Sequence, residues 1–193
     1  MPWQKQFDVE ETLSRAMDTF WMRGYEATSM RDLVGAMGIN RASIYATFGD
    51  KRELFLRALQ HYDQNHRRTW LTAITETNPP KEAILTAFEA AARQALTEGR
   101  RDGCFLVNTA LELSPHDDEI AAVVAHGLTE TERFFKDNID RAQKAGSVPQ
   151  TVDPIETARS LLGLFIGLRV LSRSRPEQPL LQSIVKQAEA LLN

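Results

Sequence analysis

The chain of 193 residues contains a single cysteine, Cys104, and therefore cannot form an internal disulfide. Scarcity of cysteine is typical of proteins from a reducing compartment. Long apolar runs are missing too, because the most apolar stretch, residues 161–171, is interrupted by Arg169 and falls short of the roughly 20 residues that span a bilayer. The N-terminal segment also lacks the basic and apolar parts of a secretory signal. We expect a cytoplasmic protein without a membrane helix.

Positive charge is not in excess either. The formal net charge is −3, and the first fifty residues carry five lysines and arginines against seven aspartates and glutamates, giving −2. A uniformly basic nucleic-acid-binding surface is therefore excluded. Binding to DNA would need individually placed hydrogen-bond donors and helix N-termini, which can position a protein on phosphates even when the net charge of its domain is not positive.

No part of the sequence alternates apolar and polar residues as a half-buried strand does, whereas apolar spacings of three and four residues recur throughout. Capping residues, glycines and prolines set the ends of the predicted helices, and either Thr28 or Ser29 can cap the second one. These helices cover residues 8–24, 30–37, 41–48, 51–77, 81–98, 104–113, 117–144, 155–174 and 177–192. We predict an all-α fold with an N-terminal helix-turn-helix domain of three helices, residues 1–52, and a C-terminal helical bundle, residues 53–193.

The segment around Gly38-Ile39-Asn40 has the turn length of a helix-turn-helix, with Asn40 as the predicted cap of the helix at 41–48. On that helix Ile44 and Phe48 fall on the buried side. The opposite side carries small residues flanked by two hydroxyls, namely Ala42, Ser43, Ala46, Tyr45 and Thr47. Small side chains let a helix approach base edges, and hydroxyls can reach phosphates. A helical corner with a purely structural role has the same spacing, so the pattern alone leaves both interpretations open.

From Phe7 to Phe55 the chain resembles the N-terminal domain of TetR-family transcriptional regulators. The resemblance rests on RGYEATSM and on RDLVGAMGINRASIYATFGDKRELF, in which Tyr-x-x-Phe followed by a lysine is the most specific part. It implies an all-α homodimeric repressor, less often an activator, that binds a double-stranded DNA operator. It also implies a C-terminal domain that binds a small-molecule inducer and the partner subunit.

The resemblance implies roles for particular residues. Thr28 corresponds to a phosphate-contacting cap of the second helix, Asn40 and Arg41 to the turn and the start of the recognition helix, and Tyr45 and Lys51 to phosphate-contacting positions. The full candidate DNA-binding set is Thr28, Asn40, Arg41, Ala42, Ser43, Tyr45, Thr47 and Lys51. Arg52, next to Lys51, is a further cationic donor. Ala42 stands where glycine is frequent in the family and Thr47 where a histidine often precedes the phenylalanine, so the resemblance does not imply the operator sequence.

The C-terminal part identifies no inducer. Its large apolar residues can line a ligand cavity, although a bundle of this size also needs such side chains for its core, which is the favoured interpretation for any single one. The candidates are Trp70, Phe88, Phe105, Phe134 and Phe165. Cys104 is a separate candidate, because it follows Arg100 and Arg101 at a predicted helix start, where positive charge favours the thiolate. Either a thiol sensor or an inert packing residue is compatible with this position.

The last two predicted helices suggest a dimer interface. Residues 161–171 are apolar on nearly all sides, and Gly163 and Gly167 share one face that permits close helix approach. The following helix adds a second apolar stripe, and the resemblance implies pairing of these two helices across a two-fold axis. The candidate interface residues are Gly163, Gly167, Leu171, Ile184 and Ala188, with a pure core helix as the alternative.

Catalysis finds no support in the sequence. Residues 116–119, His-Asp-Asp-Glu, follow Ser114-Pro115, where acidic residues complement a helix N-terminus, and the histidines do not share helical faces at metal-ligand spacing. We expect no catalytic residues, no metal and no cofactor. The main alternative to a transcriptional regulator is an all-α adaptor or ligand-binding protein that does not bind DNA, and a metal-dependent hydrolase is a distant third.

Overall fold

A computed structural model describes residues 7–96 and 102–193. The described residues form α-helices joined by short turns. Their bounds are α1 (Val9–Arg23), α2 (Met30–Met37), α3 (Arg41–Phe48), α4 (Lys51–Tyr62), α5 (Thr69–Thr77), α6 (Pro80–Leu96), α7 (Phe105–Glu112), α8 (Asp118–Lys144), α9 (Pro154–Ser174) and α10 (Gln178–Ala190). The predicted all-α fold is confirmed, and the predicted helix ends agree with these bounds to within about two residues. The predicted end of the helix at 81–98 lies outside the described residues.

One predicted helix, residues 51–77, differs in its middle. A π-helical turn, Asp63–Arg68, joins α4 to α5, so the chain remains helical but gains an extra residue in that turn. The Thr69 hydroxyl donates to the carbonyl of Gln64 across the turn at 3.2 Å. Such turns re-aim side chains and occur frequently at functional sites. Here the turn buries Asp63 and Arg67 on the inner side of the helix.

The first hydrophobic core is formed by the four helices α1, α2, α3 and α4 together with α7 and the beginning of α8. Three phenylalanine rings show this connection, because Phe55 of α4 lies 5.0 Å from Phe20 of α1 and 5.3 Å from Phe105 of α7, both edge-to-face. Each fully buried ring contributes about 1.5–3 kcal/mol through burial alone. The boundary drawn between residues 52 and 53 therefore passes through α4, most of which packs with the helix-turn-helix.

The second core joins α5, α6, α8, α9 and α10. Phe165 of α9 lies at its centre, 5.2 Å from Phe88 of α6 and 5.8 Å from Phe135 of α8 between ring centroids. Helix α8 is long enough to contribute to both cores. Close approach to α8 depends on Gly127, since a Cβ added there would lie 2.5 Å from Cδ1 of Leu106 on α7.

None of the described helices is long and apolar enough to cross a membrane.

Candidate DNA-binding surface and ligand cavity

Local capping interactions fix the geometry of the helix-turn-helix. The Ser29 hydroxyl accepts from the Asp32 N–H, and the Asp32 carboxylate accepts from the Ser29 N–H, which forms a capping box at the start of α2. Gly38 ends α2 in the left-handed region with φ of 70°, where a side chain would be strained. The Asn40 side chain accepts from the Ser43 N–H at 2.9 Å and starts α3, as predicted.

Helix α3 has one buried and one exposed side. Ile44 and Phe48 are 0% and 1% exposed, which anchors the helix to α1, α2 and α4 through the first core. The other side faces solvent with Ala42, Tyr45 and Ala46, while Ser43 and Thr47 are half-buried at its edges. The outward face is thus made of small side chains with hydroxyls nearby, which suits close approach to a DNA groove.

Two cations lie beside this face, each over an aromatic ring. Arg41 donates from Nη2 to the Tyr45 hydroxyl at 3.0 Å, and its Cζ lies 5.4 Å from the Tyr45 ring centroid. The Lys51 ammonium lies 4.2 Å above the ring of Tyr25. Cation–π contacts of this kind hold long side chains in a defined direction. The exposed face therefore has ordered hydrogen-bond donors, although the net charge of the first fifty residues is negative.

Two predicted contacts need correction. Thr28 does not cap α2, because Ser29 does; the Thr28 side chain is 0% exposed and its hydroxyl donates inward to the Gly24 carbonyl at 2.6 Å. Arg52 is not an unengaged cation either. Its guanidinium forms a two-bond contact with Asp117 at 2.6 and 2.8 Å and a third bond with Glu119. Both residues therefore have structural partners inside the protein.

Several polar links join the helix-turn-helix to the rest of the chain, and Arg52 forms one of them. Hydrogen bonding from Arg52 is the main cause that lowers the pKa of Asp117 to about 2, and the Ile120 N–H contributes further. Another link is the Glu112 carboxylate at the end of α7, which accepts from the N–H groups of Tyr25 and Glu26 at 3.1 and 2.9 Å. Helix α7 thereby holds the loop between α1 and α2.

A cavity of about 300 Å³ lies between the two cores. Its wall combines aromatic, aliphatic and polar side chains from α1, α4, the π-helical turn, α5, α6, α7, α8 and α9. The lining residues are Asp18, Trp21, Tyr62, His66, Arg67, Trp70, Leu71, Ala90, Gln94, Cys104, Leu106, Val107, Leu128, Thr131, Leu162, Phe165, Ile166 and Arg169. Trp70, Phe165 and Cys104 among the candidates therefore reach the cavity.

The other three aromatic candidates do not line this cavity. Phe88 and Phe105 are 0% and 1% exposed and belong to the second and first core, where the ring of Phe88 packs against Phe135 and Phe165 and the ring of Phe105 against Phe55 and Tyr62. Phe134 lies instead beside a shallower groove formed with Arg67, Arg68 and residues of α5 and α8. Phe88 and Phe105 are therefore core residues of the single chain, and Phe134 is buried in the second core at the edge of this groove.

Cys104 precedes the first residue of α7, makes no side-chain cap bond there and is buried, with its sulfur accepting a hydrogen bond from the Tyr62 hydroxyl at 3.5 Å. Burial is the main cause that raises the pKa of Tyr62 well above its usual value, and the neighbouring Cys104 adds to the rise. Tyr62 is therefore a neutral donor at physiological pH. Arg100 and Arg101, which motivated the thiolate hypothesis, lie outside the described residues.

Among residues 7–96 and 102–193 no group of three or more metal-ligating side chains comes together. In the segment 116–119, Asp117 caps α8 by accepting from the Ile120 N–H at 3.1 Å, in keeping with the predicted helix-start role of these acidic residues.

Comparison with known proteins assigns the chain to a family. Residues 13–58 match the family described as bacterial regulatory proteins, tetR family, and residues 80–187 match a tetracyclin repressor-like C-terminal domain. The uncharacterized HTH-type transcriptional regulator YezE of Bacillus subtilis (strain 168) is 30% identical over 190 residues, covering 98% of each chain. The HTH-type transcriptional repressor ComR of Escherichia coli (strain K12) is 31% identical over 170 residues, covering 88% of this chain and 81% of ComR.

The chain belongs to the TetR family of transcriptional regulators. Its fold matches a cysteine mutant of the TetR-family regulator CifR complexed with 26bp double-strand operator DNA, with a TM-score of 0.84 and 30% identity over 99% of this chain and 100% of the other. The reduced form of Escherichia coli NemR has the same TM-score at 18% identity, over 97% and 98% of the two chains, and shows the fold alone. The resemblance seen in the sequence is confirmed, and the family consists of regulators rather than enzymes.

Only some of the residues predicted to form the dimer interface of this TetR-family regulator are accessible to a partner subunit. Gly163 is exposed, and a Cβ added at Gly163 or Gly167 would meet no atom within 4 Å, so both glycines face open space in the single chain. Leu171 and Ile184 are half-buried against the second core. Ala188 is 0% exposed because α10 packs that side on the core, so the prediction that Ala188 contacts a partner is wrong.

Sequence reasoning missed several polar groups of the cavity in this TetR-family regulator. Arg169 carried a signal, since it is the charged residue inside the apolar stretch 161–171 and is only 9% exposed. The sequence gave no signal for Trp21 and Asp18, because both fit the ordinary amphipathic pattern of α1. Outside the cavity, the sequence gave no signal for Glu112 either, because its partners Tyr25 and Glu26 are more than eighty residues away in the chain.

Proposed function

We propose that the chain is a cytoplasmic, homodimeric transcriptional repressor that binds a palindromic double-stranded operator through α3 of each subunit and dissociates when a small-molecule inducer binds. The observation that carries this proposal is the two-sided α3, whose apolar side is fixed in the first core while small and hydroxyl side chains face solvent. The operator complex of CifR, which is 30% identical along nearly the whole chain, supports the same use of this region.

The geometry of α3 and the family resemblance support particular roles for the candidate DNA-binding residues. Arg41 stands at the start of the helix on the exposed side, where a guanidinium can donate two bonds to a guanine edge. Tyr45 and Lys51 are assigned to phosphates, and Ala42 and Ser43 to close approach, with Thr47 at the edge. Asn40 acts mainly through its cap on α3, and Thr28 supports the α1–α2 loop from inside.

The ligand response is assigned to the cavity between the cores. Two of its lining residues, Asp18 and Trp21, belong to α1, so a bound molecule touches the helix that supports the helix-turn-helix. Helix α7 provides a second route. Its first turns line the cavity, and Glu112 at its last residue holds the loop after α1. An inducer that favours a different position of α1 or α7 therefore shifts the paired recognition helices away from the spacing that fits the operator.

We divide the chain into a DNA-binding domain, residues 1–52, and a ligand-binding and dimerisation domain, residues 53–193. Helix α4 belongs physically to both, because it packs with α1 and carries Tyr62 to the cavity.

Selection of genomic fragments by the purified protein tests this function. We expect enrichment of a palindromic site whose half-site centres lie about 34 Å apart, or a multiple of one helical turn, bound by a dimer. A variant carrying both Arg41→Ala and Tyr45→Phe, with unchanged helicity, is the matched control and should enrich the site much more weakly. If the unmodified protein retains no genomic fragment better than random DNA, the alternative of an all-α adaptor or ligand-binding protein is supported instead.

A thiol-reactive inducer is a second candidate, favoured by the position of Cys104 on the cavity wall beside the Tyr62 hydroxyl. The operator-bound structures of CifR, which is 30% and 31% identical to this chain in the two matches, are of cysteine mutants. Modification of the Cys104 sulfur would add volume to the cavity at the start of α7.

Thiol-labelling rates in native and denaturing buffer distinguish a sensing Cys104 from an inert one. For a sensor we expect native labelling that approaches the unfolded rate, release of DNA on labelling, and a Cys104→Ser variant that binds DNA but no longer responds. Native labelling slower by orders of magnitude, with altered stability as the main effect of the serine variant, would identify a packing residue.

A further inference from the structure

Arg169 of α9 is a buried cation on the wall of the cavity. Its side chain is 9% exposed, its Nη1 donates to the Gln94 amide oxygen at 2.9 Å, and its Cζ lies 5.9 Å from the centroid of the Phe165 ring. Its Nε has no hydrogen-bond partner. Buried polar groups in proteins are almost always satisfied, so an unpaired N–H on a buried guanidinium indicates a missing partner.

The charge of Arg169 also lacks an acidic counterpart within the described residues, where no carboxylate forms an ion pair with it. Its polar neighbours there are the Gln94 amide, the Tyr62 hydroxyl and the Cys104 thiol. A buried charge without a counter-charge is strongly unfavourable, and an arriving anion relieves that penalty.

Arg67 provides an internal comparison. It is 8% exposed and lines the same cavity, but its Nε donates to the buried Asp63 carboxylate at 2.5 Å, so its charge is already compensated. Its Nη2 nevertheless has no partner and is a second unpaired donor. The wall therefore holds two guanidinium groups, whereas its carboxylate, Asp18, is exposed to solvent.

The remainder of the wall is suited to a flat apolar group. Trp70 is stacked with Phe165 at a centroid distance of 6.3 Å, and Trp21 packs edge-to-face on Tyr62 at 4.9 Å. Burial, followed by repulsion from His61, lowers the pKa of His66, so this ring on the wall is neutral at physiological pH. A volume of about 300 Å³ is at the small end of ligand pockets.

We propose that this cavity binds a small organic carboxylate with an aromatic or similarly flat apolar body, and that Arg169 is the group that pairs with the carboxylate. The planar guanidinium matches a carboxylate with two parallel hydrogen bonds, and its Nε, which is buried and unpaired in the single chain, supplies one of them after the side chain turns towards the ligand. The unpaired Nη2 of Arg67 offers a donor for a further polar atom of the ligand. This inference rests on the proposed function, since it names the chemical class of the inducer.

Calorimetric titration of the full-length protein without DNA tests the proposal directly. The probes are benzoate and 2-naphthoate, compared with benzamide and 2-naphthamide, which have the same shape and no charge, and with benzylammonium. We expect at least one carboxylate to bind, its amide to bind about 10- to 100-fold more weakly, and the ammonium ion not to bind. Failure of both carboxylates to bind, or equal binding of acid and amide, overturns the proposal.

Substitutions then locate the carboxylate. Arg169→Met keeps the length of the side chain and should remove the preference for acid over amide, while Arg169→Lys keeps the charge without the fork and should retain part of it. Arg141→Met is the matched control on α8, because Arg141 is exposed and outside the cavity. Unchanged carboxylate affinity in folded Arg169→Met assigns the anion elsewhere and contradicts the proposal. If Arg169→Met fails to fold, the comparison of acid with amide on the unmodified protein and Arg169→Lys still decides.

Because binding is measured without DNA, the two proposals fail in different ways. A protein that binds 2-naphthoate through Arg169 but keeps its operator would support the carboxylate site and contradict the proposed ligand-induced release.

Discussion

The recognition helix and the cavity handle their polar groups in opposite ways. In the helix-turn-helix, the starts of α3 and α4 are fixed by side chains that accept from backbone groups three residues away, Asn40 from Ser43 and Asp50 from Glu53. In the cavity the guanidinium groups of Arg67 and Arg169 are buried, and each donates to a residue far away in the chain, Arg67 to Thr131 and Arg169 to Gln94, which is 75 residues away. The first region is therefore shaped by local sequence, whereas the second exists only after the helices have assembled. We expect changes in the two regions to have separable effects on DNA binding and on ligand binding.

The largest expected effect comes from the face of α9 opposite the cavity. Gly163→Leu or Gly167→Leu should prevent close packing of two subunits, giving monomer or aggregate, and should reduce operator affinity to the non-specific level, a loss of about 10³-fold or more. The single chain has open space at both positions, so its own fold should tolerate the new side chain.

Sedimentation and operator titration on the same samples measure both effects of the α9 substitutions. Glu89→Leu, which places leucine on the exposed face of α6, is the matched control and should remain dimeric. Intact dimers for both glycine variants would move the interface away from α9.

The next largest effect concerns DNA binding and separates base-contacting from phosphate-contacting residues. Arg41→Ala should relax base preference by about 1–3 kcal/mol at one position per half-site, because it removes a side chain placed to contact a base edge. Tyr45→Phe and Lys51→Ala should weaken binding to all sequences alike, since phosphates carry no sequence information. Titrations against a set of single-base operator variants measure this difference. An unchanged ranking of variants for Arg41→Ala would show that Arg41 does not contact a base.

These two regions also differ in how far the sequence predicted them. The caps at Asn40 and Asp50, and the burial of Ile44 and Phe48, follow from spacing within a single turn, and the structure has them where the spacing predicts. Thr28 and Ser29 were not distinguishable, because both can cap a helix and only the tertiary structure turns Thr28 inward.

The cavity was predictable only in part, because its wall is assembled from eight separate elements. Trp70 and Phe165 were among the candidates, but nothing local separates them from Phe88, which has the same apolar surroundings in sequence and fills the core. Arg169 is the one charged wall residue whose sequence context is unusual. The pairing of Arg52 with Asp117 joins residues 65 positions apart and has no local signature.

A smaller effect tests whether local capping is independent of the cavity. Asp50 accepts from the Glu53 N–H and starts α4, so Asp50→Ala should lower the free energy of unfolding by about 1 kcal/mol while leaving any ligand affinity unchanged. Glu177→Ala is the control, because Glu177 stands at the same position of α10 without a side-chain cap. Denaturant unfolding gives the two differences. Equal losses in both variants would show that the Asp50 cap is not the source of the effect.

The smallest expected effect concerns the Arg52–Asp117 link, which joins the two regions at the surface. The pKa of Asp117 is lowered from 3.8 to about 2 in the folded protein, so the unfolded chain takes up the proton first as the pH falls. The stabilisation from this carboxylate is therefore fully present above about pH 5, starts to decline near pH 4 and is lost as the pH approaches about 2. The difference in unfolding free energy between the unmodified protein and Asp117→Asn should be constant from about pH 5 to 8 and should shrink below about pH 4. Asparagine can still cap α8, so the comparison isolates the charge on Asp117. A difference that changes between pH 5 and 8, or one that persists undiminished at the lowest pH at which the protein folds, would assign the effect to another group.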